Sequence, residues 1–397
     1  MLDNQTHEWE RIHRIGYQHQ LLGEWEIARS HYEQALSLNP DYAFAQLSLA
    51  QLDMLQSRFS EGRERYEARF GARDNNGFDW RTLPIPRWRG ESLENKHLHL
   101  WVEQGFGDVI MYAGFLPHLL AQKPARITLS MFPKMMMLFA RSFPEIVVES
   151  FEEIGNYALA STIVDTFPAL LTMAQQTGLQ IDLEPMRSDY ERALKRGKPD
   201  YTAPMGDLMV YGLPDYIPAQ HPSYIIADPE HVAKIKQSSG AGRRIGISWH
   251  TNNPENGPAR SIPLEQWIPL LRTPNCHFIS LQHHVAPAEI ARFCAENGCN
   301  IITDQQFDPL QDTEALAALI ASMDEIITID NSNAHLAGAL GIPTTLLLPK
   351  GCDFRWPILE NTPDTLWYNS VKTERQTQAM DWPPVIERVR GYIGKLK

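Results

Sequence analysis

The stretch from Ile326 to Pro349, IITIDNSNAHLAGALGIPTTLLLP, limits what this chain can fold into more than any other segment. It reads as a buried strand over 326–329, a polar loop from Asp330 to Asn333, a short helix from Ala334 to Leu340 and a second strand from Thr344 to Leu348. Gly341 and Pro343 punctuate the turn from helix to strand. A strand that ends in Asp and then opens a helix of small residues puts a helix N-terminus at the carboxyl edge of a parallel sheet. Free N–H groups and the helix dipole both favour an anion there, phosphate above all. His335 falls in the first turn and can add a donor. On its own the stretch is equally an ordinary strand–loop–helix unit, with Ser332 or Asn333 as a plain cap.

The chain has 397 residues, which suits two or three domains. Hydrophobic residues make up 43% and charged residues 21%, a globular balance. No run approaches the roughly 20 apolar residues of a membrane span. The first residues, MLDNQTHEWERIHRIG, are too polar and charged for a signal peptide. A net charge of −12 argues against a general nucleic-acid binder. Cys276, Cys294, Cys299 and Cys352 lack the spacing of a zinc site or a disulfide framework. Reduced thiols and a cytoplasmic location are expected.

Residues 1–72 carry a helical pattern with a repeat. Gly16, Gly23, Ala28, Tyr32, Ala35 and Pro40 sit at tetratricopeptide spacing, and Ala50, Phe59, Gly62 and Tyr66 mark a more degraded second unit. Small residues let two helices approach and aromatics fill the gap beside them. The competing interpretation is a generic pair of helical hairpins. Two units are fewer than the three or so that a free array needs, so the block should lean on the remainder of the chain. Residues 73–97, rich in Gly, Pro, Asn and Trp, read as an ordered linker. From 98 the pattern alternates strand and helix, with strands at LHLWV, ARITLSM, IVVES and STIVDTF. A helix is expected from about Val109 to Gln122. Residues 185–222 look irregular. A second alternating block comes next, with strands at RRIGISWH, CHFISLQ and NIITD, a helix capped by Asp312, and a C-terminal helix at PPVIERVRGYIGKL. The expected domains are 98–222 and 223–397, two Rossmann-like doubly wound α/β domains behind an all-α block.

Doubly wound sheets bind ligands at strand-end loops. In the first such loop, EQGFGD, Gly105 and Gly107 permit a tight turn near a ligand beside Gln104. Asp108 then sits at a helix start, either as a plain N-cap or as a carboxylate able to take a proton from an attacking hydroxyl. The loop HTNNPENGPARSIP carries Arg260, whose fork suits a diphosphate, or which is only a solvated loop charge. Trp249, His250 and Ser261 flank that cation. In QHHVAP the adjacent His283 and His284 are poorly placed to converge on one metal ion, and Gln282 is the better candidate, for a nucleoside. After the opening motif, KGCDFRWP brings Lys350, Asp353 and Arg355 near the same edge.

Taken in order, these segments resemble the ADP-heptose:lipopolysaccharide heptosyltransferase (glycosyltransferase family 9-like) family. EQGFGDVIMYAGFLP resembles its xxGDxI segment. GISWHTNNPENGPARSIPL resembles the donor loop of its tetratricopeptide-linked relatives, and DFRW a following element. TIDNSNAHLAGALGIPTTLLLP resembles the D-x-x-x-x-H-L-x-x-A-L-G-x-P signature. The resemblance covers about residues 90–385. It implies a GT-B fold, with donor bound by the second Rossmann-like domain, acceptor by the first, and neither metal nor other cofactor. It implies Asp108 as catalytic base, with Arg260, Asp330, Ser332 and His335 around the donor diphosphate and sugar. Trp249, His250, Ser261, Gln282, Asn331 and Asn333 complete the donor-side set, and Gln104, Gly105 and Gly107 form the acceptor-side loop. Asn331 departs from the hydroxyl residue that usually follows the motif Asp. The resemblance thus implies a hexosyl- or heptosyltransferase-like enzyme taking its sugar from a nucleotide-sugar donor. The acceptor hydroxyl is on a protein such as flagellin, reached through the tetratricopeptide helices, or on a lipopolysaccharide or other glycan. Two rivals stand beside this one: a non-catalytic scaffold with a degenerate transferase domain, and an epimerase on the same fold.

Overall fold

The computed structural model describes residues 7–72, 85–150, 172, 197–213, 217–237, 242–283, 285–303, 312–359 and 365–393. The chain opens with helices α1 (Glu8–Leu21), α2 (Trp25–Leu38), α3 (Ala43–Leu55), α4 (Phe59–Arg65) and a last turn, α5 (Arg69–Ala72). Then come β1 (His97–Trp101), α6 (Phe106–Ala113), α7 (Leu116–Ala121), β2 (Arg126–Met131), α8 (Met136–Ser142), β3 (Val147–Ser150), β4 (Tyr201–Pro204) and α9 (Gly206–Gly212). The rest of the chain adds α10 (Pro229–Gln237), β5 (Arg243–Ser248), α11 (Gly257–Arg260), α12 (Ile268–Leu271), β6 (Cys276–Ser280), α13 (Pro287–Asn297), β7 (Ile301–Ile302) and α14 (Thr313–Ala321). It closes with β8 (Glu325–Ile329), α15 (Ser332–Ala339), β9 (Thr344–Leu348), β10 (Val371–Arg375) and α16 (Pro383–Ile393).

The chain divides into two compact units: Asn75–Gly105 with Phe115–Gly212, and Met1–Asp74 with Phe106–Gly114 and Leu213–Lys397. In the first unit four parallel strands lie in the order β3-β2-β1-β4. Both faces of β1 are buried, which explains its uninterrupted burial despite two histidines. His99 has its Nδ1 on the Thr202 hydroxyl and its Nε2 on Ser130, so its polar ring atoms are satisfied inside the sheet. Residues 185–222 are not irregular throughout. Tyr201–Pro204 is a strand beside β1 and leads into a helix at Gly206. The short, Pro-ended strand hid its period. The expected strand at STIVDTF lies outside the described residues.

In the second unit six parallel strands run β10-β9-β8-β5-β6-β7. Counted within this sheet the order is 6-5-4-1-2-3, the doubly wound order whose direction of travel reverses between its first and fourth strands, β5 and β8. Ligands collect at the carboxyl ends of the strands that flank such a reversal. One core packs Ile245, Ile247, Ile327 and Ile329 with Trp267, Trp382 and the apolar face of α16. Asp312 caps α14 as expected, accepting from the Ala315 N–H. β10 has no counterpart in the sequence reading, because VKTER exposes one half-polar face at the sheet edge.

The helical block belongs to this second unit. Gly16 leaves room for the Tyr32 ring, which a Cβ would meet at 2.8 Å, and Gly62 sits against Met54 and the Ala50 carbonyl. Small residues therefore do bring paired helices together there. Asp53, buried in α3, ion-pairs with Arg29 of α2 and Arg65 of α4, each at 2.6 Å, tying three helices. No helix among the described residues is long and apolar enough to cross a membrane.

Candidate functional site

β8 ends at Ile329, and the chain turns through Asp330 and Asn331 into α15. Asn331, not Ser332 or Asn333, is the N-cap. Its backbone is extended, and its side-chain Oδ1 accepts from the Asn333 N–H at 2.9 Å. Its Nδ2 donates to Ser248 Oγ at the end of β5, 2.8 Å away, and Ser248 in turn donates to Gln282 Oε1 after β6. A hydroxyl side chain could make the cap but not span to Ser248 as well. The amide at this position thus laces together the ends of three neighbouring strands.

Asp330 is 2% exposed. Burial opposes its charge, but the Arg260 guanidinium, the Trp356 indole N–H and the nearby His335 outweigh burial and hold the carboxyl below its ordinary value. Arg260 Nη1 donates at 3.0 Å and Trp356 Nε1 at 2.7 Å. Arg260 sits at the end of the single turn α11, which forms because Gly257 packs where a Cβ would lie 2.8 Å from the Thr251 carbonyl. The Nη2 of Arg260 is taken by Asn256 Oδ1.

His335 is 3% exposed. Its ring stacks on Trp356 with centroids 4.7 Å apart, and its Nδ1 shares a 2.9 Å hydrogen bond with the Tyr368 hydroxyl. Burial lowers it to about 4, against the pull of Asp330 and Asp108, so it is neutral at pH 7. The small residues of α15 have a reason here. A Cβ on Gly338 would sit 2.4 Å from the Tyr368 ring. Across from α15 packs α6, whose Gly107 would put a Cβ 2.9 Å from His335 Cδ2. Gly107 therefore lies inside a helix rather than in a loop, and serves close approach rather than turning. The helix itself starts at Phe106 and breaks at Gly114, where a Cβ would strike Pro218, instead of running from Val109 to Gln122.

Asp108 lies in the first turn of α6 and is not its cap. Its Oδ1 accepts from Arg355 Nε at 2.6 Å, and Arg355 Nη1 pairs with Asp353 at 2.8 Å. Burial works against the Arg355 charge, yet the two carboxylates raise it well above its usual value, so it stays a cation. These groups line one cavity of about 630 Å³, within the size range of small-molecule sites. Of the expected residues, Gly107, Asp108, His250, Arg260, Asp330, Asn331, Ser332 and His335 line it. The hydroxyl of Ser332 has no partner among the described residues.

Six expected residues do not line the cavity. Trp249 is 5% exposed and packs in the sheet core. Gln282 accepts from the Trp249 and His250 N–H groups and donates to the His250 and His283 carbonyls, so its amide braces two loops and has nothing left for a nucleoside. Asn333 donates to the Leu281 carbonyl, and Ser261 accepts from the Thr251 N–H. Gln104 and Gly105 belong to the other unit, where the neighbouring Glu103 accepts from the Gly206 N–H. His283 lines the cavity, and its expected companion His284 lies outside the described residues. Among the described residues no cluster of His, Cys, Asp or Glu is arranged to hold a metal ion.

The sequence reading missed the wall supplied by the helical block: Tyr17, Gln20 and Leu21 of α1 and Gln51 of α3. The Tyr32 hydroxyl donates to Gln20 Oε1 at 2.7 Å, Tyr32 is hydrogen-bonded to Ser48, and Ser48 to His13 Nε2 at 2.9 Å. A buried polar chain therefore runs through the block and ends at the cavity. The end of α1 is seated by backbone contact. A Cβ on Gly351 would lie 2.1 Å from the Gln20 carbonyl and 2.4 Å from that of Leu21.

No family model matches the chain. It is 29% identical over 379 residues to Protein FlbA of Caulobacter vibrioides, an alignment covering 93% of this chain. The chain spans 58% of that relative's length. Two solved structures are similar at a low level. A glycosyl transferase family 9 protein from Veillonella parvula has a TM-score of 0.46 at 13% identity, covering 78% of this chain and 94% of that one. The ADP-heptose LPS heptosyltransferase II of E. coli has a TM-score of 0.44 at 15% identity, covering 75% and 97% respectively. Likeness at these levels does not extend to a shared activity.

Proposed function

We propose that this chain is an inverting glycosyltransferase that takes its sugar from a nucleotide-sugar donor and needs no metal. One observation carries the proposal. Arg260, Asp330, Ser332 and His335 converge at the β5/β8 reversal of a doubly wound sheet, and Asp108 lines the same cavity. The motif resemblance of these segments supports it. The donor diphosphate lies against the N-terminus of α15 and Arg260, with the Ser332 hydroxyl as a further donor. The acceptor hydroxyl gives its proton to Asp108 as its oxygen bonds to the anomeric carbon. The bond from that carbon to the diphosphate breaks, and the leaving phosphate oxygen takes the electron pair. Arg355 is shared between Asp108 and Asp353, so it keeps a counter-charge when Asp108 is protonated. The helices of residues 8–72 are read as tetratricopeptide units, and the two compact units as the halves of a GT-B enzyme. The acceptor is a protein hydroxyl or a glycan, and the setting is cytoplasmic.

Asp108→Asn tests the base. Transfer or donor hydrolysis should fall about 10²- to 10⁴-fold with nucleotide affinity kept. Undiminished turnover in a folded variant removes Asp108 from that role. A second reading, a binding or scaffold protein without turnover, draws on a different observation. Among the described residues, Asp108, Glu255, Asp330 and Asp353 line the cavity against Arg260 and Arg355, and both arginines are already paired. Calorimetry with nucleoside diphosphates and CMP discriminates between them: binding of none of these favours the scaffold.

A further inference from the structure

The cavity has two chemically different sides. Anion-suited groups come from α15 and Arg260. The helical block contributes only neutral hydrogen-bonding groups, the Tyr17 phenol and the side-chain amides of Gln20 and Gln51, with Leu21 beside them. Gln51 is half-buried with no hydrogen-bond partner among the described residues. Gln20 Oε1 is held by Tyr32, and its Nε2 has no hydrogen-bond partner among the described residues. The Tyr17 phenol oxygen is hydrogen-bonded to the Asn256 side chain, with Glu255, Asp353 and Arg260 close by. Burial pushes its phenol up to about 12, and the two carboxylates add to this, so it remains a neutral donor. Amides, a phenol and nearby carboxylates are the groups that pair with vicinal hydroxyls, whereas a phosphate would find no cation on this wall.

We propose that the helical block is part of the ligand site itself: Tyr17, Gln20 and Gln51 form a subsite for a hydroxyl-rich sugar ring. The inference rests on the donor reading for what occupies the rest of the cavity. The alternative uses of the block, as a peptide dock or as a brace, do not require unpartnered amides facing this cavity. The close seat of α1 on Gly351 holds the wall in place without side-chain play.

The test uses the full chain with Tyr17→Phe and Gln51→Ala, singly and together, and Arg260→Ala alongside. Calorimetry follows a panel of nucleotide sugars and the matching bare nucleoside diphosphates, and saturation-transfer NMR follows free hexoses and heptoses. The double variant should lose about tenfold or more in nucleotide-sugar affinity, on the scale of one or two neutral hydrogen bonds. Its affinity for the bare nucleoside diphosphate should change less than twofold, and free-sugar saturation transfer should fade. Arg260→Ala should show the opposite pattern. Unchanged sugar-nucleotide affinity and unchanged free-sugar transfer in a folded double variant overturn the subsite while leaving the donor reading intact. If no nucleotide binds the wild-type chain, the donor reading fails and the free-sugar arm alone decides. Transfer that the double variant abolishes then supports the subsite, and absence of transfer in the wild-type chain overturns it.

Discussion

Asp330 shows how one residue can be legible in chemistry and illegible in wiring. Its place at a strand end, five residues before His335, marks it from sequence as part of an anion site. What it does in the folded chain is accept from Arg260 and Trp356 at once. Trp356 and Tyr368 come from segments with no periodic signal, and only tertiary packing brings them onto His335. Gln282, Trp249, Asn333 and Ser261 fail the other way. Sequence places them beside the strand ends, but not which way each side chain turns, and all four are consumed in bracing or core packing. Because Arg260 is largely buried, Asp330→Asn should be costly. Removing one partner of a buried ion pair leaves an uncompensated charge and should lower stability by about 3 kcal/mol in urea unfolding followed by tryptophan fluorescence. A loss under about 1 kcal/mol would mean that the pair is not buried in solution.

At the scale of elements, strand and helix alternation was readable wherever apolar runs were long enough. It failed at β4, where Pro ends a four-residue strand, and at β10 on the sheet edge. The contact between α1 and the loop after β9 could not be read, because it depends on one residue having no side chain. Gly351→Val should displace the end of α1, since the obstructing atoms are backbone carbonyls rather than movable side-chain ends. Overpacking of this kind costs about 1–3 kcal/mol. Hydrogen exchange over residues 8–21 should speed up and the thermal midpoint should drop. Protection equal to that of the wild-type chain would show that the seat is slack.

Over the whole molecule, three histidines whose charge is opposed by burial contribute to the response to acid. His13 in the helical block, His97 in β1 and His335 in α15 are each lowered to about 4, in every case chiefly by burial. Between about 4 and 6.5 the unfolded chain takes up protons that the folded chain refuses, so stability should fall as pH drops through that window, and the contribution of these three histidines levels off below it. Glu325 and Asp53, whose carboxyls burial raises, oppose this at the acid end. The His335→Asn variant isolates one contribution. Its stability-versus-pH slope between 6.5 and 4 should be shallower than that of the wild-type chain by up to about 1.4 kcal/mol per pH unit. Parallel curves would mean that His335 titrates normally. The two-sheet α/β plan and the preceding helices were visible in the pattern of the chain, whereas the part those helices play in walling the cavity was not. That part carries a consequence for engineering. With the Gln20 and Leu21 carbonyls resting on Gly351, residues 8–72 are not an interchangeable cassette. A chimera that swaps in a foreign helical array must bring a matching version of the 350–353 loop, or it will inherit a cavity open on one side.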